Sequence, residues 1–168
     1  DVTEYLHPDN YDFYKKYDHW ERVNLAIGIS EHIRSKMIMA GCPEEITMTH
    51  PIGIDPDLFQ FSPTPLQDGD KLRLVSTCRH TEKKGLEYAI RALGSLKNKG
   101  INTVYTIAGE GKLTSQYRKT AAEVGVEDEV EFSGRMPPEQ VSKLMQEAHL
   151  YIQPSVTASS GDMEGQGL

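Results

Sequence analysis

The chain has 168 residues, of which 38% are hydrophobic and 26% charged, the balance of a folded globular domain rather than of a disordered segment. A formal net charge of −7 at pH 7 argues against broad binding to a phosphate backbone, which needs a basic face, so nucleic acid is not expected as a partner. No run reaches the roughly 18 apolar residues that cross a bilayer. The only cysteines, Cys42 and Cys78, lack Cys-x-x-Cys or Cys/His ligand spacing, which predicts reduced thiols in a cytoplasmic protein.

In chain order, YDFYKKYDHW at 11–20 predicts an aromatic-rich helix, and NLAIGIS at 24–30 a buried strand. Ile33, Met37 and Ala40 mark a second helix, closed by Gly41 and Pro43, and ITMTH at 46–50 reads as a short strand. The stretch 50–71 carries four of the nine prolines and several turn formers, which fits a crossing segment rather than core. Beyond it the apolar period alternates. LRLVSTC (72–78), TVYTIAG (103–109), VEF (130–132) and LYIQPS (150–155) read as strands. Leu86, Ala89, Ile90, Leu93 and Leu96 form one helical stripe, and Val141, Leu144, Met145 and Ala148 another.

Strands alternating with helices imply right-handed crossovers and a parallel sheet covered on both sides. The expected class is α/β, a doubly wound parallel sheet. Residues 1–50 hold too little for an independent sheet of normal size and are expected to be the tail of a preceding domain. Residues 51–71 are then the linker and 72–168 the main domain.

In such a sheet ligands bind beyond the carboxyl ends of the strands, which directs attention to the loops that follow them. Arg79 leaves one strand end, and Lys84 opens the next helix beside Gly85. Arg binds two oxygens with fixed geometry and Lys adds a compact charge, the pair a diphosphate requires; the plain alternative is that Arg79, Lys83 and Lys84 are solvated loop charges. His80, next to Arg79, is placed to line the same cleft, whereas the other histidines have no ligand spacing and read as structural or surface residues. Gly109-Glu110-Gly111 can bring amides to a phosphate or can be a tight turn alone; Thr114 stands where a dinucleotide fingerprint needs its third glycine. In SGRMPPEQV, Gly134 permits a turn and Pro137 or Pro138 starts a helix. The last loop, SVTASSGDMEGQGL, sets Asp162 and Glu164 among Gly161, Gly165 and Gly167. Carboxylates accept from hydroxyls and amides donate to oxygens, so the loop suits a sugar; otherwise it is an acidic, mobile surface loop. A metal site is not expected, since no further carboxylate or histidine lies near in sequence to complete one.

Taken together, ISEHIRSKM (29–37), GIDPDLF (53–59), CRHTEKKG (78–85), IAGEG (107–111), VEFSGRM (130–136) and PSVTASSGDMEGQGL (154–168) resemble the retaining GT-B glycosyltransferases of family four, in the same order and spacing. The pattern departs at Cys78, where the family has Gly. The resemblance implies a Rossmann-like donor-binding domain over 72–168, a remnant of the acceptor-binding domain over 1–50, and an incomplete C-terminus. It implies that Arg79 and Lys84 hold the donor diphosphate, that Gly109 and Gly111 lie at the donor, and that Gly134, Arg135 and Met136 flank the nucleotide base. By the same resemblance Glu164 would be the first acid of the family's E-x7-E pair, beside the transferred sugar, with Asp162, Gly165, Gln166 and Gly167 around it. The second acid falls beyond Leu168.

The implied reaction moves a sugar from a nucleotide-diphosphate donor to a glycan or lipid-linked acceptor. Neither metal nor cofactor is expected, and peripheral membrane association of a longer parent at the cytoplasmic face is compatible with it. By itself the fragment is expected to be inactive. Two other functions are compatible with an α/β chain of this kind. A non-catalytic nucleotide-binding α/β module is disfavoured by the abrupt ends and the orphaned first 50 residues. A nicotinamide-dependent oxidoreductase is disfavoured by the missing third glycine and the lack of a Tyr-x-x-x-Lys pair.

Overall fold

The structure is a computed structural model and describes residues 20–167. The aromatic-rich helix expected at 11–20 lies outside the described residues except for Trp20, which opens a short 3-10 turn, Trp20–Arg22. The chain divides into two compact units. One is Asp55–Val156; the other joins Asp1–Ile54 to Thr157–Leu168.

In the discontinuous unit, β1 (Ala26–Gly28) pairs in parallel with β2 (Thr47–Thr49), and α1 (Glu31–Met39) connects them. Ser30 caps α1 by accepting the Ile33 N–H at 3.3 Å, and Glu31 places a negative charge on the first turn. The helix stops where expected. Gly41, at φ 98°, donates its N–H to the Ile38 carbonyl, while the Cys42 N–H reaches back to Met37, so two terminal carbonyls are satisfied by one left-handed residue. Ile33 and Ala40 are buried on the inner face with Ile29 and Met37 against them.

The continuous unit holds the main sheet. Its elements are β3 (Leu72–Thr77), α2 (Leu86–Asn98), β4 (Thr103–Ala108), α3 (Thr114–Glu123), β5 (Val130–Gly134), α4 (Pro138–Glu147) and β6 (Leu150–Tyr151). The strands lie in the order β5-β4-β3-β6 and every pair is parallel. Leu74, Tyr105, Ile107 and Val130 from the strands meet Leu86, Ile90, Leu93, Tyr117 and Ala121 from α2 and α3 in one core. The i, i+4, i+7 stripe read for α2 is the face that is buried, with Leu96 half-buried at its end. From β3 the chain steps outward through β4 to β5, then returns to the other side of β3 with β6. The order therefore reverses at β3, and this reversal is where a doubly wound sheet opens a crevice at its carboxyl edge.

Two local expectations are corrected. The strand read over 150–155 ends at Tyr151; the Ile152 N–H still donates to Val75 at 2.8 Å, but Pro154 has no N–H to continue the ladder. On α4 the buried position is Ser142, not the apolar stripe. Its hydroxyl donates to the Leu58 carbonyl at 2.5 Å, while Val141, Leu144 and Ala148 are half-buried and Met145 is exposed. The helix satisfies the proline-rich segment, which forms no helix or strand over 50–71, instead of burying a full apolar face.

Candidate functional site

A cavity of about 530 Å³ opens at the carboxyl ends of β3, β4 and β5. Thr77, Cys78 and Arg79 line it from the end of β3, and Ala108, Gly109, Glu110 and Gly111 from the end of β4. Arg135 and Met136, just past β5, and Val141 of α4 complete the wall. Of the residues singled out in the sequence, Arg79, Gly109, Gly111, Arg135 and Met136 are thus brought together. Arg79 is exposed, so its guanidinium keeps its hydration until a ligand replaces it. Glu110 lies 3.8 Å from the Arg135 guanidinium, an exposed ion pair that contributes little to stability but sets a negative and a positive group on one rim.

The glycines of this wall have a steric reason. A Cβ on Gly109 would stand 2.0 Å from the Cys78 carbonyl oxygen, and one on Gly111 would stand 2.6 Å from that of His80. Only bare backbone lets the loop after β4 lie directly on the loop after β3. Their amides are engaged within the fold: Gly109 donates to the Gly134 carbonyl at 2.7 Å, and Gly111 to Thr114 Oγ1 at 3.2 Å. Gly134, at φ 74°, makes the turn that returns its carbonyl to Gly109.

His80 does not line the cleft. Its side chain is fully buried, 5.7 Å from the Tyr117 ring and 6.0 Å from that of Phe132, and Nδ1 lies 2.8 Å from Thr114 Oγ1. Arg79 and His80 follow a strand, where successive side chains leave opposite faces; one meets solvent and the other the core. Burial holds the His80 pKa below its ordinary 6.5; the nearby Glu110 charge opposes this and Arg118 adds to it. Arg118 sits with its guanidinium 4.6 Å from the Phe132 ring centroid, closing the aromatic cluster. Tyr117, on the same side, is pushed up to about 12, first by burial.

Lys84 ends a 3-10 turn, Glu82–Lys84, immediately before the left-handed Gly85 and α2. It is half-buried and is not among the residues that line the cavity. Lys83 is buried, and its carbonyl accepts the Val156 N–H at 2.9 Å.

Asp162, Glu164, Gly165, Gln166 and Gly167 belong to the discontinuous unit. There the loop is folded upon itself and upon its own unit: Ala158 donates to the Asp162 carbonyl at 2.7 Å and Gly161 donates to Ala158 at 2.8 Å. Gly165 packs against Ile29 and Ile33, where a Cβ would come within 3.0 Å. Gln166 clamps one backbone residue, accepting the Ile52 N–H at 2.8 Å and donating to the Ile52 carbonyl at 3.2 Å. Asp162 and Glu164 are half-buried.

Sequence reasoning did not single out Thr77, Cys78, Ala108, Glu110 and Val141 as wall residues, nor the facing of Glu110 with Arg135. Thr77 is the last residue of β3, a position the carboxyl-end rule points to. Val141 read only as part of a core stripe.

The sequence profile of the family described as "Glycosyl transferases group 1" matches residues 60–168. The amylovoran biosynthesis glycosyltransferase AmsK of Erwinia amylovora is 39% identical over 143 residues, which cover 84% of this chain and 34% of that protein. WcaL of Escherichia coli K12, named as a colanic acid biosynthesis glycosyltransferase, is 35% identical over 147 residues, 87% of this chain and 36% of that protein. The chain therefore spans about a third of the length of these relatives. Among solved structures, that of Anabaena Alr3699/HepE in complex with UDP and glucose superposes with a TM-score of 0.66 at 17% identity, over 84% of this chain and 43% of that one, a likeness of fold. With a profile match over most of its residues and relatives above 30% identity, the chain belongs to the glycosyl transferases group 1 family.

Proposed function

We propose that the cavity at the end of β3 receives the diphosphate of a nucleotide-sugar donor, and that this chain is the donor-binding portion of a retaining glycosyltransferase. In this reading residues 1–50 are the tail of an acceptor-binding domain, 51–71 the linker and 72–168 the donor-binding domain; of the two boundaries between the compact units, that at Ile54 and Asp55 falls inside the linker and that at Val156 and Thr157 falls inside the donor-binding range. The observation that carries the reading is the position of Arg79, an exposed guanidinium on a cavity wall at the strand beside which the sheet order reverses.

The chemistry follows from charge. As the sugar–phosphate bond breaks, negative charge gathers on the leaving diphosphate. Arg79 offers a planar fork to two of its oxygens and Lys84 a compact cation, taking the part a divalent ion plays elsewhere, so neither metal nor cofactor is required. Gly134, Arg135 and Met136 flank the base. Glu164 supports the positive charge that develops on the transferred sugar, an assignment that rests on the Glu164-Gly165-Gln166-Gly167 motif. The names of AmsK and WcaL favour a polysaccharide acceptor, with a glycolipid as the other form the acceptor takes. We place the reaction in the cytoplasm, at the inner face of a membrane reached by peripheral association. Neither Cys42 nor Cys78 is in a disulfide, which suits that compartment. Among the described residues no helix is long and apolar enough to cross a membrane.

Isothermal titration of the 168-residue chain with UDP, GDP, ADP and NAD tests this. Weak binding of a nucleoside diphosphate is expected and none of NAD, and replacing Arg79 or Lys84 by Ala costs about 1.5–3 kcal/mol of it, the scale of hydrogen bonds to charged groups. Undiminished binding by the R79A/K84A double variant overturns the assignment.

A further inference from the structure

We infer that His80 is a positioning residue for the donor cavity: a neutral imidazole, protonated on Nδ1, that fastens the loop after β4 to the loop after β3 and so fixes the wall facing Arg79. The inference rests on the proposed diphosphate-binding role of that cavity and assigns a buried residue a part in it.

Three attachments converge on this one residue. The His80 N–H donates to the Glu110 carbonyl at 3.0 Å, its carbonyl accepts the Leu113 N–H at 3.3 Å, and its ring meets Thr114 Oγ1 at 2.8 Å. Glu110 and Leu113 lie in the five residues that lead from β4 to α3, and Thr114 is the first residue of α3; Gly109, Glu110 and Gly111 among those five line the cavity. Glycine at 111 is what allows this contact, because a side chain there would run into the His80 backbone. The residue preceding His80 is Arg79, so the anchored backbone and the diphosphate-binding side chain are consecutive.

The tautomer follows from counting protons. Thr114 has one hydroxyl hydrogen, and its shortest contact, 2.7 Å, is to the Gly111 carbonyl, which can only accept. Thr114 Oγ1 therefore accepts both the Gly111 N–H, at 3.2 Å, and the imidazole Nδ1–H. That leaves Nε2 as a bare lone pair, buried and with no hydrogen-bond partner among the described residues, in the pocket formed by the Tyr117 and Phe132 rings. A core position with no other duty is better filled by an apolar side chain, since an orphaned polar atom costs stability that a leucine would not. The ring is explained by its Nδ1 side, where it holds Thr114 and through it Gly111.

The test compares wild type with H80N, H80L and T114V in the 168-residue chain, with UDP and GDP as probes. In H80N the carboxamide nitrogen replaces the Nδ1–H donor; in H80L the space is filled without one; T114V removes the acceptor while leaving His80 in place. Wild type and H80N are expected to bind the same nucleotide alike. H80L and T114V should each bind about tenfold more weakly, the worth of one hydrogen bond, and their double variant no worse than either. Nitrogen-15 spectra should show the ring protonated on Nδ1, with the Arg79 and Gly111 amide resonances displaced in H80L and restored in H80N. If wild type binds and H80L binds equally, or if the ring carries its proton on Nε2, the positioning role is wrong while the cavity assignment stands. If wild type binds neither nucleotide, the proposed function fails and the positioning role falls with it.

Discussion

The Tyr105 hydroxyl lies 2.6 Å from Ser76 Oγ, with both residues buried, and Ser76 in turn donates to the carbonyl of Ile152. Because serine has one hydrogen to give, Tyr105 is the donor to Ser76, and a relay of two hydroxyls runs from β4 through β3 to the residue following β6. Burial drives the tyrosine pKa far up, so the phenol stays a donor at any working pH. The relay predicts an order of damage. Replacing Ser76 by Ala strands a buried phenol and frees Ile152, at about 1–3 kcal/mol, whereas Tyr105→Phe removes one bond for about 1 kcal/mol. Urea unfolding of the two variants should rank them that way; equal losses would show that Ser76 and Ile152 do not interact.

Gly85 and Gly100 both occupy the left-handed region, at φ 62° and 74°. A Cβ at 85 would stand 1.9 Å from the Pro154 carbonyl, whereas nothing lies within 4 Å of one at 100. Gly100→Ala should therefore cost only the backbone term of about 1–2 kcal/mol. Gly85→Ala adds a clash with backbone that cannot swing away, for a loss above about 3 kcal/mol. Thermal melts of both variants check the difference.

His80 also makes stability depend on pH. Its pKa is lowered in the folded chain, chiefly by burial, so between its folded value and 6.5 the unfolded chain binds more protons. Its contribution is full above pH 6.5 and is lost as pH falls through the folded value. The charged groups around it are Glu110, which opposes this, and Arg118, which reinforces it; Tyr117 stays neutral there. The midpoint of urea unfolding should fall on acidification below 6.5 in wild type, and fall less steeply in H80L. Parallel curves would remove His80 as the source.

Gln166→Ala deletes both hydrogen bonds to Ile52 and should release the segment 159–167 from its own unit. These bonds are partly solvated, so global stability should change by no more than about 1 kcal/mol. Limited proteolysis should still show cleavage within 159–167 rising severalfold over wild type, because local opening depends on the few contacts that hold a loop.

How much of this was legible beforehand depended on whether a residue's role was set by its neighbours in sequence. The parallel sheet could be read because β-branched runs and 3.6-residue stripes are local signals: Leu86, Ile90 and Leu93 are buried as their spacing requires. The cavity wall could be read at Arg79 because strand ends are predictable places, whereas Arg135 and Met136 came from the family resemblance alone. Gly109 and Gly111 were recognised, but not their steric duty, since the carbonyls they accommodate belong to Cys78 and His80, some thirty residues earlier. Ser142 escaped for a similar reason. Its partner, Leu58, is a distant loop carbonyl, and no periodicity in α4 announces it.

The β5-β4-β3-β6 order makes neighbours of segments that are synthesised far apart: Leu74 pairs with Leu150. On a ribosome adding roughly 5–20 residues per second, one side of β3 emerges about 4–15 s before its permanent partner exists. Until then a strand that is interior in the finished sheet is an open hydrogen-bonding edge, a template for stray pairing. The nascent chain is most vulnerable to aggregation after β3 has left the exit tunnel and before β6 has, and a chaperone that shields this polypeptide would be needed in that interval.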